Sequence, residues 1–174
     1  MNKKGLTLVE LLGATVIFSL VIGLIASVIV LINKATESIN IESQVNREGM
    51  YIVRVLEEAM TDFDAKNYVS CGTNCITLES TFSYEFDENI NDFVLTVYNP
   101  VHTLEIYFTS DPALYIGGEI YTFNDVMLQN TSSIVVTTTL DTVRIVVTLD
   151  LLSSSGKTYQ FTANHFFTIQ PIPA

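Results

Sequence analysis

Between Leu6 and Ile32 the chain reads "LTLVELLGATVIFSLVIGLIASVIVLI", and its one ionisable side chain is Glu10. A helix of that length rises about 1.5 Å per residue and reaches about 40 Å, enough to cross a bilayer with some tilt. The run is apolar on every side, as lipid requires, because hydrocarbon offers no partner to an unpaired backbone amide and so admits a helix. Glu10 is the exception. A carboxylate at mid-membrane costs about 2.5–3.5 kcal/mol, but Glu10 lies only about 6 Å along the helix from Leu6, near the positive end of the helix dipole. An interfacial glutamate held by its own helix start is the plain account of it.

A cleaved secretory signal also begins with positive residues and an apolar stretch, but that stretch is usually about 7–15 residues and ends at small residues. The run here is longer and lacks such a site. Lys3 and Lys4 precede the span and Lys34 alone follows it closely, which favours a cytoplasmic N-terminus and an exported C-terminal part. The localisation expected is the cytoplasmic membrane, in a single pass.

After Ile32 the sequence turns polar without a proline or turn cluster. Ile41, Val45, Gly49, Ile52, Leu56, Ala59 and Phe63 recur at steps of four or three, which places them on one helical face. One continuous helix is therefore expected from about Leu6 to about Phe63, much longer than the globular mean of about 11–12 residues. Its first half suits lipid, and its second half needs a partner to pack on.

Beyond Phe63 the period changes to two. "CITLES", "FVLTVYN", "HTLEIYF", "SIVVTTTL", "TVRIVVTLDL" and "KTYQFTANHFFTI" are rich in β-branched and aromatic residues, and "NP", "DP", "GG" and "SSSG" punctuate them as turn signals. Residues 134–151 read as a hairpin about Leu140 to Thr142, and "SSSGK" at 153–157 leads into a final strand. The fold class is α+β: a long N-terminal α-helix packed on a C-terminal antiparallel β-sheet domain. The divisions are residues 1–5, 6–32 (the lipid half of the helix), 33–63 (its amphipathic half) and 64–174 (the β-domain).

Charge narrows the partners. The formal net charge is −11, with eight Lys and Arg in 174 residues, so direct nucleic-acid binding, which draws on clustered cations, is not expected. Cys71 and Cys75 stand close together in "SCGTNC". In an exported domain, with no His or third Cys nearby, they point to a disulfide and not to a zinc site. An extended four-residue step holds Cα atoms roughly 13 Å apart, whereas a disulfide needs about 4.4–6.8 Å, so "GTN" must turn back. So short a loop gains only about 2 kcal/mol, and the bond is expected to fix a local loop beside the end of the long helix.

A short basic leader ending in Gly5, followed by "LTLVE" with Glu10 as the fifth residue after that glycine, resembles the processing signal of type IV pilins and the pseudopilins of secretion and competence systems. The family usually has Phe where this chain has Leu6. The resemblance implies cleavage after Gly5 by a prepilin peptidase and methylation of the new amine on Leu6. It also implies that Glu10 of one subunit pairs with the N-terminal amine of its neighbour in a filament. A subunit entering in the wrong register would leave a charge unpaired in an apolar core. The implied partners are the peptidase, other pilin or pseudopilin subunits with their assembly machine, and membrane lipid before assembly. The assembled subunit would stand at the cell surface or in the periplasm. The β-rich head and Leu6 give a general likeness to the larger J-like minor pseudopilins.

Other chemistry is thin. "DENIND", residues 87–92, places oxygens at Asp87, Asn89 and Asn91 like the start of a calcium loop, yet Asp92 stands where that loop needs glycine and Tyr98 is its twelfth residue. His102 and His165 lie in strand-like segments without a nucleophile motif, and "NTS" at 130–132 matches a glycosylation sequon by pattern alone. No catalytic set, metal set or cofactor is expected. The competing class is a single-pass anchored domain that binds an extracellular ligand and never polymerises; cleavage after Gly5 separates the two.

Overall fold

The computed structural model describes residues 8–109, 111, 113–123 and 126–173. Helix α1 runs unbroken through Leu8–Asp62. Its apolar part carries several hydroxyls, and each bonds back to its own helix: Thr15 to the carbonyl of Leu12, Ser19 to that of Thr15, Ser27 to that of Gly23 and Thr36 to that of Ile32. A hydroxyl satisfied in this way makes no demand on its surroundings. The chain forms two compact units, residues 1–41 and 42–174.

In the second unit α1 buries Val45, Gly49, Ile52, Leu56 and Met60. The face expected from the sequence ends one residue differently, because the last turn buries Met60 and leaves Ala59 and Phe63 half-buried. At Gly49 the helix comes so close to the second sheet that a Cβ would collide with the Phe161 ring. Only glycine suits that approach.

Among the described residues nine strands form, and all pair antiparallel. The first sheet has the order β1 (Asn67–Gly72), β2 (Cys75–Asp87), β3 (Asp92–Phe108), β4 (Leu114–Ile116), β5 (Glu119–Tyr121). In the second, β8 (Thr142–Ser153) is central: β6 (Val126–Leu128) and β7 (Ser133–Thr139) line one edge and β9 (Thr158–Thr168) the other. β8 alternates cleanly, with Val143, Ile145, Val147, Leu149 and Leu151 all buried, the period of two that a half-buried strand imposes. Ile76, Leu78, Phe82, Leu104, Ile106 and Leu114 form the buried face of the first sheet. The β7–β8 turn falls at Leu140 and Asp141, between the paired Thr139 and Thr142.

Two turn signals play different parts. Gly117 and Gly118, both at positive φ, make the tight β4–β5 turn. "NP" at 99–100 does not end a strand: β3 continues through Pro100, and the β2–β3 register shifts there, from Ser80↔His102 to Phe82↔Val97. Thr81 alone thus faces residues 98–101, a bulge that accommodates a residue without an N–H.

Side chains, not a backbone ladder, join the two sheets. Tyr68 on β1 hydrogen-bonds Thr138 on β7 at 2.9 Å. Asn74, in the β1–β2 turn, donates to the carbonyl of Ser132 at 3.3 Å and accepts from the amide of Ile134 at 3.2 Å. At the helix exit, the amide of Lys66 donates to the carbonyl of Glu79, and the carbonyl of Lys66 accepts from the amide of Gln170.

Candidate functional site

Gly5 and Leu6, the expected cleavage and methylation positions, lie outside the described residues. Glu10 stands in the first turn of α1 and is exposed, where the unpaired amides of a helix start favour an anionic side chain. Along the helix from there, an 18-residue window reaches a mean hydropathy of 2.9 with none of it buried inside the protein. One long apolar N-terminal helix therefore has the length and composition of a single-pass membrane anchor.

Cys71 and Cys75 are joined by a disulfide with Cα atoms 5.2 Å apart. "GTN" does turn back, with Gly72 and Asn74 both at positive φ. The loop is not beside the end of the helix: it lies at the far end of β1, five residues and roughly 17 Å of strand from Asn67. It does more than close on itself. Asn74, whose conformation the bond helps fix, is the residue that ties the first sheet to the start of β7, and its carbonyl accepts from the amide of Phe108.

The calcium-like stretch is the β2–β3 turn, and its oxygens serve the turn itself. Asp87 Oδ1 accepts from both the backbone amide and the side-chain amide of Asn89, at 2.8 and 3.0 Å, and Asp92 Oδ1 accepts from the amide of Phe93. Among the described residues no group of three or more His, Cys, Asp or Glu could hold a metal ion. In the sequon Ser132 is buried, and its hydroxyl accepts from the amide of Asp150 at 2.9 Å.

The two histidines lie on different sheets and differ in setting. His102 is exposed and stacks on Tyr98, with ring centroids 4.0 Å apart. His165 is half-buried on β9 opposite Ile145, and burial holds its pKa below the ordinary imidazole value. Tyr121 donates to Glu119 Oε2 at 2.8 Å. That hydrogen bond, helped by burial and by the carboxylate's charge, raises the phenol's pKa.

Two surface features escape a reading by periodicity. One is a cleft of about 290 Å³ beside Tyr51 of α1, lined also by Ile52, Ile120, Tyr121 and Phe123. The other is the outer half of the β2–β3 hairpin, where Tyr84, Phe86 and Phe93 are more than half exposed. "TFSYEFD" alternates with period two, the signal that could have extended β2 past Ser80. No family model, curated protein or solved structure matches this chain.

Proposed function

We propose that this chain is a minor pilin or pseudopilin: a membrane-held subunit cleaved after Gly5, methylated on Leu6 and packed through α1 into a filament of a pilus, secretion or competence machine. The observation that carries the reading is Glu10 in the first turn of a 55-residue helix that is apolar all round at its start and amphipathic at its end. A plain anchor would give the glutamate a helix-start role alone, whereas its place five residues after Gly5 favours a partner in a neighbouring subunit. Before assembly, lipid covers the apolar half; in the filament, neighbouring helices would. The role is mechanical and recognitional, with no catalytic part.

Glu10→Gln tests it. The variant should insert and be cleaved, because the amide is close in size to the carboxylate and the peptidase reads the leader and Gly5. It should enter filaments at least about a hundredfold less well, since a neighbour's buried amine left without its partner costs several kcal/mol. The measurement is the ratio of sheared-filament to membrane-bound subunit, beside wild type, in cells supplying the rest of the machine. Equal ratios would return Glu10 to a helix-start role. The exposed aromatic hairpin favours a second reading, an anchored binding domain that does not polymerise; an intact mass beginning at Leu6 in wild type, with the leader retained in Gly5→Val, counts against it.

A further inference from the structure

The two sheets are tied at both ends of β1. Near its start, Tyr68 hydrogen-bonds Thr138 near the end of β7. Just past its far end, Asn74 reaches the start of β7 with both ends of its side-chain amide, donating to the carbonyl of Ser132 and accepting from the amide of Ile134. Its own carbonyl accepts from the amide of Phe108, the last residue of β3. A cleft of about 170 Å³ lies at this junction, with Thr73, Asn74, Phe108 and Ser132 in its lining.

Asn74 does this from a backbone conformation that has to be held. Its φ is 57°, beside Gly72 at 139°, and the left-handed region is uncommon for a residue with a Cβ. The β1–β2 register also breaks here. Ser70 pairs with Ile76 and Gly72 with Cys75, so Cys71 stands in a bulge, opposite no residue of β2. The disulfide to Cys75 spans that bulge. The loop it closes is too short to add much to the stability of the whole head. Its effect is local: it sets the turn from which Asn74 reaches across to the second sheet.

We propose that the Cys71–Cys75 bond is a reducible latch on the junction between the two sheets. A dithiol opens it, Asn74 lets go of β7, and the junction loosens while the head stays folded. Cys71 is exposed and Cys75 half-buried, so an incoming thiolate reaches the Cys71 sulfur first. A mixed disulfide forms there, and Cys75 leaves as a thiolate that takes up a proton. The donor's second thiolate then displaces Cys71, which takes up another. The donor is thereby oxidised to its disulfide, and the chain gains two electrons and two protons. Exchange with an oxidised partner runs the same steps backward, and the short tether between the two thiols keeps them within reach of each other for reclosure. The inference concerns the head alone and does not depend on whether the chain assembles.

The test is amide hydrogen exchange, read by NMR on the full chain in detergent, first oxidised and then treated with dithiothreitol. Exchange at Ile134 and Phe108 should rise at least about tenfold on reduction. Exchange at Ile145 and Val147, in the middle of β8, should stay as it was, and replacing the dithiol with oxidised glutathione should restore the first state. Asn74→Ala should show the fast exchange at Ile134 with the disulfide intact, and no further rise with dithiothreitol. Equal exchange at Ile134 in the two redox states of the wild type overturns the proposal. So does a rise that spreads through β8, which would make the bond a staple of the whole head, and so does an Asn74→Ala profile that still responds to dithiothreitol. A bond that dithiothreitol breaks only in unfolded chain, or one that does not re-form, overturns it as well.

Discussion

The two halves of α1 share one backbone conformation and almost nothing else. Residues 8–40 are exposed along their whole length, although they carry Leu, Ile, Val and Phe at most positions. Residues 41–62 carry charges on one side and bury five positions on the other. The second half is fitted to a protein core, whereas the first has the length and composition of a membrane anchor. A side chain facing lipid needs only to be apolar, whereas one facing a protein core must also have the right volume at the right place. Matched substitutions in the two halves separate these requirements.

The largest contrast is between Leu56→Ala and Leu24→Ala. Leu56 is fully buried and Leu24 is exposed, so the first should destabilise the head by about 3–5 kcal/mol, transfer and cavity together, and the second should leave it unchanged. Urea unfolding of the full chain in detergent measures both. Tyrosine fluorescence is the probe, since the chain has eight Tyr and no Trp. Equal losses would break the contrast between the halves.

Glycine gives a finer version. A Cβ at Gly23 would meet nothing within 4 Å, whereas at Gly49 it would strike the Phe161 ring. Gly49→Val should cost the head about 1–3 kcal/mol and Gly23→Val nothing in the same unfolding experiment. An unchanged midpoint for Gly49→Val would mean that the ring swings aside freely and that the close approach specifies nothing.

The smallest effect comes from the sheet on which the amphipathic half packs. Burial lowers the pKa of His165 in the folded state, so below the ordinary imidazole value near 6.5 the unfolded chain takes up a proton more readily than the folded one. Stability contributed by the neutral ring is therefore complete above about pH 6.5. It falls as pH drops through that value and levels off below the folded pKa. His165→Gln should flatten this part of the pH profile of the unfolding midpoint, and a profile identical to wild type would remove the group from the account.

The sequence shows the helix well because both of its signals are long. An apolar run and a three-four pattern each sum over many residues, and the observed buried stripe matches the expected one through Val45, Gly49, Ile52 and Leu56, differing at its ends, where Ile41, Ala59 and Phe63 are half-buried and Met60 takes the core position. Strands are shorter sums, and the errors follow. β1, "NYVSCG", has half-buried residues only at its start, and β4, β5 and β6 are three residues each, too short for a period to register. Pro100 misleads because its local meaning, the end of a strand, is overridden by a bulge that only pairing with β2 creates. The spacing of Cys71 and Cys75 says that the loop must turn back, but not that Asn74 would then reach Ser132 and Ile134, fifty-eight and sixty residues away. Nor can a pattern say where the core ends along a strand, which is why the exposed row at Tyr84, Phe86 and Phe93 is invisible until α1 and its exit at Lys66 are in place. For the site, Glu10 and its position at a helix start are legible in sequence; the roles of Gly5 and Leu6 rest on the resemblance.

The glycine that lets α1 approach β9 also bears on force. Tension applied to the N-terminal end of the helix, along its axis, reaches the head through the stripe from Val45 to Met60, about 22 Å long. The pull loads these positions together, in shear, so no contact can be peeled away before the next. Gly49 over Phe161 then acts as a notch over a tooth. Sliding the helix by one turn would bring Val45 or Val53 over the ring, and either side chain would jam where the glycine passed. The same missing methyl group that sets the packing distance thus resists axial slip in both directions.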